Sequence, residues 1–140
     1  MTEVAVVAFA QSPVRVRDDA TTGGVEMLLP IFAEAYQATG LTRTDIGFWC
    51  SGSSDYLAGR AFSFISAIDS IGAIPPINES RVEMDAAWAM YEAYIKILTG
   101  EVDTALVGLA GVGASVTETG FMNCVWFGIT PAETGWKYFS

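Results

Sequence analysis

One stretch, residues 80–108, SRVEMDAAWAMYEAYIKILTGEVDTALVG, limits what this chain can fold into more than any other. Its middle spells a helix, with Asp85 placed as the N-cap and Gly100 as the stop. Trp88, Met90, Tyr91, Tyr94, Ile95, Ile97 and Leu98 cover most of its circumference, and Glu92 and Lys96 form a pair one turn apart on what remains. A helix apolar nearly all round belongs in the middle of a protein. A short extended piece at residues 77–82 precedes it and a buried strand at residues 103–110 follows, so the stretch reads as strand, helix, strand. Residues 81–90, which lead into the helix, contain no Cys, Ser or Thr.

The rest of the chain extends the alternation. Residues 4–10 form a continuous apolar run, as expected of a parallel strand buried on both faces. A polar connection with Pro13 and the charged segment RVRDD leads to Thr21 or Thr22, either of which can cap a helix that stops at Gly40. Val25, Leu28, Leu29, Phe32, Ala35 and Tyr36 stand at helical spacing, and Pro30 predicts a kink or a late start. DIGFWCSGSSDY reads as a short strand ending in a small-residue loop. Residues 62–70 are apolar at Phe62, Ile65, Ala67 and Ile68, and Gly72 and the Pro75-Pro76 pair break that helix. Strands alternating with helices predict an α/β fold, a mostly parallel sheet with helices on both faces and one central buried helix.

Composition narrows the function classes. A chain of 140 residues is a single domain able to bury roughly two thirds of its unfolded surface. Its 51% hydrophobic content and mean hydropathy of +0.38 imply a partner over part of the surface or a place in a larger whole. Sixteen acidic against seven basic residues, a net charge of −9, repel phosphate backbones, so nucleic acid is not an expected partner. No apolar run approaches the about 20 residues of a membrane span, and MTEVAVVAFAQ reads as a strand rather than a secretory signal, which makes a cytoplasmic location the expectation. Cys50 and Cys124 have neither metal-ligand spacing nor a disulfide framework, and no histidine is present to pair with a nucleophile.

Several residues invite chemistry and also have plain readings. Cys50, after Trp49 at a strand end, fits a buried structural thiol. The SGSSD segment lacks the flanking glycines of a nucleophile elbow and the Lys of a phosphate loop, and reads as a turn. Gly108, Gly111 and Gly113 fall short of a dinucleotide fingerprint because Val116 stands at the third glycine's place. Trp88, Tyr91 and Tyr94 are either an acyl or sterol pocket or core, with core expected for two of the three.

Three segments carry a family likeness. AFAQSPVR, GLTRTDIGFWCSG and TGEVDTALVG resemble the amino-terminal half of thiolase-superfamily proteins, in particular the branch of acetyl-CoA acetyltransferases and sterol-carrier or lipid-transfer thiolases. The likeness covers about residues 4–108 and implies a thiolase-like half-domain at 1–110. Residues 111–140 form a divergent tail, whose apolar run 121–129 is an extra strand, an oligomer contact or the product of truncation.

The family places a nucleophilic cysteine at the amino end of the buried helix, where the dipole and backbone amides favour a thiolate. Aligned from the strand end that position is Ala86, and counted back from Gly100 it lies near Glu83; neither bears a thiol or hydroxyl. Asp85 and Glu83 are left as candidate general bases, with a helix cap and a polar strand end as their plain readings. The resemblance further implies an acyl-CoA or steroid-CoA thioester as substrate, no permanently bound cofactor, and acyl transfer or carbon–carbon bond cleavage. It also implies a homo-oligomer or a second thiolase-like half as partner, and a small zinc-ribbon and OB-fold partner for the members lacking the cysteine. The contrasting expectation is a non-catalytic lipid-binding or structural subunit.

Overall fold

A computed structural model describes residues 4–11, 24–53, 55, 62, 65–72, 75–83, 86–110 and 124–129. Five strands, β1 (Ala5–Gln11), β2 (Phe48–Ser53), β3 (Glu79–Glu83), β4 (Thr104–Ala110) and β5 (Cys124–Ile129), form one sheet in the order β1-β5-β4-β2-β3. β2 lies parallel to both β3 and β4, while β5 runs antiparallel to β4 and β1. Residues 124–129 of the tail therefore supply a strand inside the sheet, between β1 and β4.

Helices α1 (Gly24–Thr39) and α2 (Ile65–Ile71) occupy one face and α3 (Ala86–Leu98) the other, the two-faced α/β layering expected. Leu28, Ile31, Phe32 and Ala35 of α1 pack with Ala8, Trp49, Ile71 and Leu106. Phe32 reaches the sheet because Gly108 has no side chain: a Cβ there would stand 3.3 Å from the Phe32 ring. Pro30 lies inside α1 on its exposed side, and the helix begins before it, so the expected late start is not found. Thr21 and Thr22 lie outside the described residues.

The helix stops are where the glycines put them. Gly40 and Gly100 adopt φ of 73° and 74°, the left-handed region that glycine enters without a Cβ clash. After α3, Gly100 N–H donates to the Ile97 carbonyl at 3.0 Å and Glu101 N–H to that of Lys96 at 2.9 Å, closing the last turn. The start of β2 is pinned from both neighbours: Gly47 N–H donates to Thr104 Oγ1 at 2.9 Å, and Asn78 Nδ2 donates to the Gly47 carbonyl at 3.0 Å.

α3 departs from the sequence reading. Ala89, Ala93 and Ile97, spaced four apart, are buried against Phe48, Cys50, Ala105 and Val107. The small alanines let the helix lie close to the sheet, and the large aromatic side chains face away. Trp88, Tyr91 and Tyr94 are 61%, 55% and 43% exposed, and core packing of two of them does not occur. The Glu92–Lys96 pair is also replaced. Lys96 Nζ bonds Glu101 Oε1 at 2.5 Å and lies 4.8 Å from the Phe48 ring centre, while Glu92 turns toward the sheet.

Candidate functional site

In parallel α/β sheets the carboxyl ends of the strands are where polar groups can be presented together. Here β2 ends at Ser53 and β3 at Glu83, residues paired in register, and α3 begins three residues later at Ala86. Alternation along β3 puts Arg81 and Glu83 on the same face, and Asp55 follows β2 onto it. Arg81 Nη2 bonds Asp55 Oδ1 at 2.6 Å and is ion-paired with Glu83 Oε2. Glu83 Oε1 accepts from the Asp55 N–H at 2.9 Å, and Asp55 Oδ2 accepts from the Phe62 N–H at 3.0 Å.

Both oxygens of Glu83 are thus engaged, one by a cation and one by an amide. The cluster is partly open, with side-chain exposures of 23% for Arg81, 29% for Asp55 and 48% for Glu83, so water weakens the ion pairs and each is worth at most about 1 kcal/mol. Asp85, the other candidate base, lies outside the described residues. Arg81 and Asp55 were missed by sequence reasoning: the first sits two residues from Glu83 on one face of a strand, a signal present in the spacing, and the second arrives only through the β2–β3 pairing.

On the opposite face, Glu92 Oε2 accepts from Ser80 Oγ at 2.9 Å and from Cys50 Sγ at 3.7 Å. Cys50 is fully buried, and burial first, then the negative charge of Glu92, push its thiol up to about 12. No useful thiolate forms at neutral pH, as a structural thiol requires. In the unfolded chain the group returns to about 9, so its contribution to stability is present below pH 9 and is lost as pH rises from 9 through 12. At pH 9 iodoacetamide should label Cys50 at least about 100-fold more slowly in the folded protein than in urea, read by peptide mapping. Equal rates would show the thiol to be accessible.

Beside α3, Val82, Trp88, Tyr91, Glu92, Ile95 and Lys96 line an open groove of about 540 Å3. Trp88 and Tyr91 meet edge to face, with ring centres 5.8 Å apart. The SGSSD segment is not a turn throughout, since Ser51, Gly52 and Ser53 are β2 residues buried in the sheet. Among the described residues no group of three or more His, Cys, Asp or Glu side chains could hold a metal ion, and no helix is long and apolar enough to cross a membrane.

No protein-family model matches the sequence, and no curated protein matches it. Solved structures do match the fold. Acetyl-CoA acetyltransferase from Bacillus anthracis superposes with a TM-score of 0.64 at 18% identity, over 78% of this chain and 29% of that one. OleA from Xanthomonas campestris, solved with bound lauric acid and lauroyl-CoA, gives a TM-score of 0.70 at 13% identity, over 94% of this chain and 58% of that one. The 3-oxoacyl-[acyl-carrier-protein] synthase III of Aquifex aeolicus gives 0.69 at 11% identity, covering 94% and 55%. The chain has the thiolase-like half-domain fold shared by these acyltransferases and condensing enzymes. It spans 29% of the first of these proteins and less than three fifths of the other two.

Proposed function

We propose that this chain is the amino-terminal half of a thiolase-like protein that acts on an acyl-CoA or steroid-CoA thioester, making or breaking a carbon–carbon bond without a cysteine nucleophile of its own. The observation that carries the reading is the conjunction of the fold with the segment 81–90, where thiol and hydroxyl are both absent at the entrance to α3. The remaining groups there are carboxylates. Asp85, next to the first residue of α3, is the proposed base, taking a proton from a carbon beside the thioester carbonyl; Glu83 is tied to Arg81 and is the weaker candidate.

The covering element proposed for the aromatic side of α3 is a second thiolase-like half, on this polypeptide or another. The matched proteins have the length for it, and the exposed Trp88, Tyr91 and Tyr94 give it an apolar surface to cover. A zinc-ribbon and OB-fold partner and a cytoplasmic location belong to the same proposal. In the native assembly Asp85→Asn should lower turnover of a CoA thioester by about 100-fold or more while leaving KM within about threefold. An unchanged rate would remove that carboxylate from the mechanism.

One observation favours a second reading. Glu83 is held by Arg81 and the Asp55 amide as a structural acceptor, which suits a non-catalytic subunit that keeps the half-fold for pairing or for carrying a lipid. That subunit would bind the thioester, or a lipid, with no turnover for Asp85→Asn to change.

A further inference from the structure

On the sheet face away from α3, a cavity of about 200 Å3 lies between β2, β3 and α2. Helix α2, seven residues and about 10 Å long, forms one of its walls. Trp49 and Ser51 of β2, Glu79 and Arg81 of β3, and Ile68 and Ile71 of α2 line it. Alternation puts the Ser51 side chain on the same face as Trp49, toward the cavity.

Ser51 is 6% exposed, and its Oγ is buried without a hydrogen-bond partner among the described residues. A buried hydroxyl left unpaired is costly, and native proteins give nearly all such groups a partner. The space in front of it is larger than one water needs: a dry cavity of about 150 Å3 accepts a benzene ring. Charge decides the kind of molecule. The one cation among the described residues of the wall, Arg81, is already neutralised by Asp55 and Glu83, and Glu79 adds a negative group, so an anion finds no welcome.

We propose that this cavity binds a small neutral molecule of about one ring, with its apolar body between Trp49, Ile68 and Ile71 and a hydroxyl or carbonyl hydrogen-bonded to Ser51 Oγ. The site lies on the opposite side of the sheet from the groove along α3 and shares Arg81 with the cluster at the strand ends.

Phenol is the probe, with toluene and benzoate as comparisons, titrated into the 140-residue chain and followed by backbone amide NMR. Phenol should give saturable shifts centred on Trp49, Ser51, Ile68 and Ile71, and benzoate should bind at least about tenfold more weakly. Ser51→Ala, which deletes only an unpaired hydroxyl, should weaken phenol about tenfold and leave toluene unchanged. Ile68→Phe, which adds bulk at the cavity wall, should abolish binding of both while the spectrum elsewhere stays native. Absence of saturable shifts, as when an ordered water holds Ser51 and phenol does not displace it, would overturn the proposal. So would shifts centred on Trp88 and Tyr91, or an unchanged phenol affinity in Ser51→Ala.

Discussion

Replacing Trp88 and Tyr91 together by glutamate should turn the purified chain from an associating species into a monomer. Both side chains stand outside the core, 61% and 55% exposed, in edge-to-face contact on the same side of α3, with Tyr94 a further turn along. A patch of this kind on an isolated domain is the mark of a contact surface, and buried aromatic anchors at such surfaces contribute about 2 kcal/mol or more each. Two of them removed, with charge added, weaken association by at least about 100-fold. Sedimentation velocity across a micromolar range reads this directly. A wild-type chain that stays monomeric throughout would contradict the covered face. At concentrations where the wild type is itself dissociated the variant should keep its unfolding midpoint, because neither residue packs in the core.

Phe32→Ala should have the opposite character, leaving association intact and costing about 3–5 kcal/mol of folding stability. Phe32 is 1% exposed, sits among Leu28, Ile71 and Leu106, and occupies the space that Gly108 vacates. Nothing nearby is free to refill it, since the strand beneath is fixed by its pairing with β2 and β5. Such a loss is a large part of the about 5–15 kcal/mol that holds a domain folded, so the urea midpoint should fall steeply or the variant should not fold at all. Phe32→Leu, which keeps most of the volume, should lose less than half as much. A Phe32→Ala midpoint within experimental scatter of the wild type would show that α1 does not supply this core.

The contrast between the α3 aromatics and Phe32 shows what the sequence could and could not carry. Gly40 and Gly100 were legible as helix stops because one local requirement, positive φ, selects glycine. The order of strands and helices was legible because apolar periodicity is local too. The direction in which α3 faces was not read correctly, since the six large apolar residues Trp88, Met90, Tyr91, Tyr94, Ile95 and Leu98 outvoted the Ala89, Ala93, Ile97 stripe that makes the contact. Small residues repeated every four positions were the available signal. β5 entering between β1 and β4, and Asp55 meeting Arg81 and Glu83, depend on strand pairings between distant residues, which no local pattern encodes. The absence of thiol and hydroxyl side chains from residues 81–90 needed no structure at all, because it is a property of ten consecutive residues.

The protein proposed above handles a CoA thioester on a thiolase-like fold without forming a covalent acyl-enzyme in this chain. Equilibrium binding of acyl-labelled acyl-CoA to the native assembly, followed by denaturation and recovery of this chain, tests it in one measurement. The label should be bound before denaturation and fully released after it. Label retained on the denatured chain, at any residue, would contradict the account, as would a native assembly that binds none.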